Sequence, residues 1–273
     1  MDLTSDSEEL QLLTESVRTA MGAASGAKLD AALAELGWHD MLDEIPDIAI
    51  PLVFRLLGET GAHAPVLNDV VLRAAGRSPG GVTPLPFAGD SWVVWKREDI
   101  PSSAVDNDLP IHPVAEGDSA AQAGLGAGRQ ALGWWLVGTS RAMLALARQH
   151  ALDRVQFGRH ISSFQAIRHR LAETLVAIEG AEATLRAATA ASQDPDDLAS
   201  LLAKAAAGQA ALTAARHCQQ VLGGIGFTAE HRLHHHIKRS LILDNLLGSA
   251  RELTLQAGVA LRAKGFAPRL VQL

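Results

Sequence analysis

At 273 residues, 48% hydrophobic and 20% charged, the chain is long enough to build one large domain or two lobes around a sizeable core. Its formal net charge of −6, with basic residues interspersed among acidic ones, argues against a general nucleic-acid or anionic-membrane binder and leaves small molecules and other proteins as the expected partners. The single Cys218 excludes an intrachain disulfide, and the opening MDLTSDSEEL lacks the basic and apolar regions of a signal peptide, so the expected compartment is the cytoplasm.

In chain order, Ser5 followed by Glu8 reads as a capping box, and Leu10, Leu13, Val17 and Met21 then recur at helical spacing, predicting a first helix. LDAALAELGWHDML is a second apolar-periodic run that stops near Gly37, and PLVFRLLGETGAH and PVLNDVVLRAAG give two further short helices. Residues 1–76 therefore read as a helical lobe. Between 77 and 120, Gly80, Gly81, Pro84, Pro86, Pro101, Pro110 and Pro113 punctuate the chain, and DSWVVWKRED is the best strand candidate; the segment predicts a linker with one or two strands, a β remnant too short for a substantial β domain. From 121 to 273 the helical period returns, with helices expected over 130–154, 163–190, 196–222 and 242–264, separated by SQDPDD and GGIG and stopped by AKGFAP. The most apolar stretch, ALGWWLVGTSRAMLALA (131–147), carries Arg141 at its middle and is short for a membrane span, so it reads as a buried core helix. The expected fold is mainly α, a helical lobe followed by an antiparallel four-helix bundle.

Three motifs carry candidate chemistry. EHRLHHHIKR holds His231, His234, His235 and His236, which on a helix could share a face as metal ligands do. No HExxH pattern or second cysteine completes a shell, so the segment reads as a polar helix start beside Lys238 and Arg239. RVQFGRHISSFQ places Arg154 three residues before Phe157-Gly158 at the join of two helices, with Gln165 opening the next. Glycine permits close backbone approach and arginine can pair with a phosphate in bidentate fashion, although a helix–helix turn with a capping arginine fits the same pattern. QQVLGGIGF offers free backbone N–H groups at Gly223, Gly224 and Gly226 that could meet an anion or a nucleotide; it is not GxGxxG after a strand, so a Rossmann reading fails, and alone it reads as a helix terminator.

Taken together, RVQFGRHISSFQ and QQVLGGIGFTAEHRLHHHIKRS, with LAELGW and LLGETGAHAPVL in the first lobe, resemble the acyl-CoA dehydrogenase family, most strongly from about 129 to 255. The resemblance implies FAD as cofactor, its adenosine diphosphate half held by Arg154, Gln156, Phe157, Gln165, Gln220, Gly223 and Gly224 while the flavin ring sits on a neighbouring subunit. It assigns the histidine segment to the approach to a basic pair, with no metal. Two departures matter. The family's middle β domain is largely missing, and the two positions at which members carry the catalytic carboxylate fall on Gly248 and Gly128. Oxidation of an acyl-CoA thioester to its 2,3-enoyl form needs a carboxylate within reach of the α-carbon. The resemblance therefore implies a subunit without a catalytic residue of its own, in a heteromeric, α2β2-type acyl-CoA dehydrogenase like those of steroid catabolism. A full-length partner chain would share the FAD and bind most of the acyl-CoA. Two alternatives remain open at this level: a self-contained enzyme using Glu252, Asp244 or one of His231 to His236 as an unusual base, and a non-catalytic helical scaffold. Glu252 falls one turn past Gly248, on a second, structural glutamate of the family pattern.

Overall fold

The computed structural model describes residues 3–98, 109–117, 119–190 and 197–266. The first lobe consists of α1 (Leu3–Ala23), α2 (Ala27–Glu35), α3 (Trp38–Glu44), α4 (Pro46–Thr60) and α5 (Leu67–Ala74). Gly37, left-handed at φ 83, separates α2 from α3, Pro46 occupies the first turn of α4, and Gly61 ends α4 at φ 77. The expected capping box at Ser5 and Glu8 is displaced, because α1 already begins at Leu3 and Ser5 lies inside the helix. A complete capping box forms instead at Ser249 and Glu252.

Three strands follow where one or two were expected: β1 (Pro84–Phe87), β2 (Ser91–Trp95) and β3 (Ile111–Val114), antiparallel in that order, with Leu85 opposite Val93 and Val94 opposite His112. β2 lies within DSWVVWKRED. This small sheet stands where the family's middle β domain would be, and it docks on the lobe through buried polar bonds. Asn68 donates from Nδ2 to the Trp95 carbonyl at 2.9 Å, and Arg97 pairs with Asp30 and with Asp69, which also accepts from Trp38 Nε1. Trp38, Phe54, Trp135 and Trp95 form a continuous aromatic core between lobe, sheet and bundle, the last two stacked at 5.5 Å.

The bundle comprises α6 (Leu125–Asp153), α7 (Gln165–Ala190), α8 (Leu198–Leu222), α9 (Leu233–Asn245) and α10 (Ala250–Lys264). Residues 131–140 of α6 are all buried, as expected of the most apolar stretch. Lobe and bundle meet backbone to backbone: a Cβ on Gly58 would lie 2.4 Å from the Trp135 carbonyl, and one on Gly138 would lie 2.1 Å from the Arg55 carbonyl. The helix expected over 242–264 is a correction, since α9 and α10 are separate. The chain leaves α9 at Leu246, passes through left-handed Leu247 (φ 59) and Gly248 (φ 98), and restarts at the Ser249 cap. The backbone groups released at the break are paired: the Leu247 N–H donates to the Pro86 carbonyl of β1 at 2.8 Å, and Lys204 Nζ donates to the Asp244 and Gly248 carbonyls. Of SQDPDD, residues 192–196 lie outside the described residues; Asp197 precedes α8 in a left-handed conformation.

Candidate functional site

α6 ends at Arg154, which turns the chain into a minimal hairpin, β4 (Val155–Gln156) against β5 (Arg159–His160). The two residues at its tip, Phe157 (φ 53) and Gly158 (φ 75), both have positive φ, as a type I′ turn requires. Glycine meets that demand without strain; phenylalanine does so at a cost of about 1–3 kcal/mol. The result is a ring 89% exposed, braced at its edge by Phe164 at 6.1 Å, while Arg159 lies over the Phe164 face at 4.1 Å. Gln165 opens α7, its amide 3.3 Å from His169 Nε2. At the end of α8, Gln220 is exposed, Gly223 takes φ 63, and the space beside Gly223 and Gly224 is empty to at least 4 Å. A 3₁₀ turn, Gly223–Phe227, completes the segment. One apolar cluster lies beneath both motifs: Met143, Ala147 and Ala151 of α6, Cys218 and Leu222 of α8, with Ile161 and Leu171 packed on it. The tertiary structure thus brings Arg154, Gln156, Phe157 and Gln165 to the same end of the bundle as Gln220, Gly223 and Gly224, and leaves this surface open. Burial without a hydrogen-bonded partner raises the Cys218 thiol to about 12, so it is inert here.

The histidine segment has local structural work. His231 Nδ1 accepts from the Leu233 backbone N–H at 3.1 Å, His234 Nδ1 lies 2.8 Å from the His231 carbonyl, and the His234 and His235 rings are 3.8 Å apart. His236 is buried against Gly61, and burial together with Arg239 lowers its pKa to about 4. Arg239 donates to the Gly61 and Ala62 carbonyls. The segment starts α9 and ties it to the end of α4.

The two glycines at the positions where the resemblance expects a carboxylate lie near one another, and side chains pack against both. A Cβ on Gly128 would lie 2.7 Å from Val71 Cγ2 and 2.8 Å from Leu247 Cδ1, and one on Gly248 would lie 2.7 Å from Leu253 Cδ2. Beside them a cavity of about 180 Å³ remains, lined by Phe87, Trp92, Arg129, Gly248, Glu252 and Gln256 among others. Arg129 crosses it to the Asp197 carboxylate at 2.6 Å and donates from Nε to the Leu247 carbonyl at 3.2 Å. Glu252 faces this cavity, as its spacing from Gly248 suggested, but both its oxygens are engaged: Oε1 accepts from Gly89 N–H at 3.1 Å and Oε2 from Ser249 N–H at 2.9 Å. Those backbone bonds hold its carboxyl below the usual range, which makes it a weak base. Asp244 is buried, accepts from Ala250 N–H at 3.1 Å, and has its pKa raised by that burial.

Sequence reasoning missed Lys204. It is fully buried on α8, and its Nζ donates to the carbonyls of Asp244 and, at 2.6 Å, Gly248, pinning the α9–α10 turn. The signal available was one cation inside the apolar run LLAKAAAGQAAL. Burial lowers its pKa to about 7, against which the Asp244 and Glu252 carboxylates act, while Arg129 adds to the depression. The unfolded chain then binds more protons than the folded one between that value and the ordinary lysine value near ~10.4. Stability contributed at this site therefore rises with pH across that window and is flat below it. Lys204→Met lacks this rise, so the wild-type-minus-variant difference in urea-unfolding free energy is expected to be flat below about pH 7 and to increase from there to about pH 10.

A helical lobe, a small antiparallel sheet and a bundle of long helices make up the architecture of this chain. The family model described as "Acyl-CoA dehydrogenase, C-terminal domain" matches residues 115–256, and the chain belongs to the acyl-CoA dehydrogenase family, which comprises FAD-dependent oxidoreductases. Among curated relatives, it is 33% identical over 216 residues to acyl-CoA dehydrogenase FadE34 of Mycobacterium tuberculosis, covering 71% of this chain and 30% of that protein. It is 40% identical over 116 residues to acyl-CoA dehydrogenase IpdE2 of the same organism, covering 42% and 36%. The chain thus spans about a third of the length of these relatives. The same fold is present in the Tcur3481–Tcur3483 steroid acyl-CoA dehydrogenase (TM-score 0.69, 20% identity, 95% of this chain and 99% of that one). It is also present in the ChsE4–ChsE5 complex of Mycobacterium tuberculosis (TM-score 0.65, 19% identity, 95% and 98%).

The exposed surface fits the adenosine diphosphate half of FAD. Arg154 makes no ion pair to a carboxylate among the described residues, Phe157 presents an uncovered ring, and a Cβ on Gly223 or Gly224 would meet open space; the Gly223 N–H, expected to be free, instead donates to the Gln219 and Gln220 carbonyls, because it caps the end of α8. Nothing comparable accommodates a flavin ring at the 180 Å³ cavity, whose walls include Leu247 and the engaged Glu252.

Proposed function

We propose that this chain is the non-catalytic subunit of a heteromeric, FAD-dependent acyl-CoA dehydrogenase. It clamps the adenosine diphosphate end of an FAD whose flavin lies on a full-length partner subunit, and that partner supplies the catalytic carboxylate and most of the acyl-CoA site. The observation that carries this reading is the contrast between the two ends of the bundle. The residues matched to the clamp stand at an open surface, whereas the two positions matched to the catalytic carboxylate are glycines, with Val71 and Leu247 side chains against Gly128 and Leu253 against Gly248, which also has φ 98. FAD, when bound, supplies the acceptor for the hydride lost by the acyl chain. The work left to this chain is binding: Arg154 would hold the diphosphate by charge-assisted hydrogen bonds, Phe157 would offer an apolar surface, Gln156, Gln165 and Gln220 would add polar contacts, and Gly223 and Gly224 would let the cofactor approach the backbone. The likeness in fold to the two-component ChsE4–ChsE5 complex and to the Tcur3481–Tcur3483 steroid acyl-CoA dehydrogenase supports a partnered assembly, for which we propose an α2β2 arrangement in the cytoplasm and a bulky, steroid-derived thioester as substrate.

The test is co-expression. Purified alone, the chain is expected to carry no flavin; co-expressed with a full-length acyl-CoA dehydrogenase chain encoded beside it, it is expected to co-purify as a yellow complex with acyl-CoA-dependent activity. Stoichiometric FAD and turnover in the isolated chain would refute this reading.

A further inference from the structure

Charge is distributed unevenly over this acidic chain. Segments 148–173 and 212–238 hold eight arginines and lysines against three carboxylates, and eight of the eleven histidines. The fold gathers these segments at the clamp end, over the apolar cluster shared by α6, α7, α8 and α9. The groups are close enough to act on one another: Arg154 and His231 both depress the pKa of His150, and Arg170 and Arg216 both oppose protonation of His217. Elsewhere most of the described arginines are matched with carboxylates, among them Arg18 by Glu59, Arg73 by Asp43, Arg97 by Asp30, Arg129 by Asp197 and Arg141 by Glu179, with Arg251 and Arg262 as exceptions. At the clamp end, Arg148, Arg154, Arg159, Arg170, Arg216 and Arg232 make no ion pair to a carboxylate among the described residues. Between these cations stand exposed apolar groups, Phe157 at 89%, Phe227 at 69%, Val155 at 51% and Ile225 at 40%.

We infer that the clamp end of the bundle is a docking face for an acidic surface on a second protein chain, with arginines spread well beyond the nucleotide clamp matched by the partner's carboxylates. The inference rests on the heteromeric reading above. A diphosphate carries about two negative charges, which Arg154 and neighbouring N–H groups can meet, so cations on α6, α7 and α8 outside the clamp remain unmatched. Arginines and aromatics standing together in an exposed patch, on a face with one lysine, Lys238, are the composition of a protein–protein interface. A nucleic-acid site would add dense lysine along a backbone track. Unpaired like charges on one face also repel one another, and an acidic partner removes that repulsion; the same field accelerates encounter by about 10- to 1000-fold at low salt.

The test uses Arg148→Glu, Arg170→Glu and Arg216→Glu combined, three exposed sites outside the clamp. Despite a sequence isoelectric point of about 6.0, the isolated wild-type chain is expected to bind a sulfonate cation exchanger at pH 7, and the triple variant to flow through with an unchanged circular dichroism spectrum. Association with the co-expressed acyl-CoA dehydrogenase chain is expected to slow at least tenfold in the variant, and in the wild type between about 50 and 500 mM salt. Wild-type flow-through at pH 7, a yellow complex whose association rate ignores both salt and the triple reversal, or tighter binding to single-stranded DNA than to the partner would each overturn the docking face. Failure of any complex to form at any salt, with the exchanger result intact, would instead count against the heteromeric reading.

Discussion

Arg154→Ala is expected to release FAD from the co-expressed complex. Its guanidinium stands at the end of α6 with no carboxylate partner among the described residues, so what is lost is its bond to the cofactor. One charge-assisted contact contributes about 1.5–3 kcal/mol, and a bidentate one lies at the upper end, corresponding to roughly 100-fold in affinity. Flavin absorbance per complex after gel filtration at sub-micromolar concentration reads the effect directly. The chain's own thermal midpoint should move by no more than 1–2 °C or so, because an exposed side chain outside any buried network has little effect on stability. Unchanged flavin content would support the scaffold alternative, in which the nucleotide clamp has no function.

Restoring a carboxylate at the vacant catalytic position, Gly248→Glu, is expected to destabilise the chain and to yield no activity. The residue has φ 98, where any side chain is strained by about 1–3 kcal/mol, and its Cβ would lie 2.7 Å from Leu253 Cδ2, adding an overpacking cost of about 1–3 kcal/mol. Together these shift the melting temperature down by roughly 5–10 °C. Lys204 holds the Gly248 carbonyl, so the turn cannot swing away without stranding a buried amine. Thermal melts and acyl-CoA oxidation with an artificial electron acceptor check both halves. A variant of wild-type stability that turns over substrate would mean that the site is vacant rather than sealed. The same packing explains why Gly128 offers no second route: Val71 and Leu247 occupy the volume its side chain would need.

The open clamp and the closed catalytic position belong together physically. An unfilled apolar hole between α5 and α6 would destabilise the chain in proportion to its volume. Val71 and Leu247 fill it, and the polar ends of the same turn are taken up by Lys204, Arg129 and the Ser249 cap. Glu252 then serves as a capping-box residue and a tether to Gly89, with no free oxygen to accept a proton from substrate.

The sequence by itself determined the helical lobe, the long helices α6, α7 and α8 and the weakness of the middle segment, because apolar periodicity and glycine or proline punctuation act within a few residues of chain. It also determined which residues could form a nucleotide clamp and that no carboxylate stands at position 128 or 248, since residue identity is what the chemistry reads. Tertiary structure decided the rest. Leu247 and Val71 lie far apart in sequence, and only the tertiary structure shows that both pack beside Gly128, where a side chain would meet them. The break between α9 and α10 is held by partners distant in sequence, the Pro86 carbonyl and the Lys204 amine, and Lys204 became legible only when its amine was found among backbone carbonyls 40 and 44 residues away. Spacing along the chain limits which groups can meet, but excluded volume and the need to pair buried polar atoms decide which of them do.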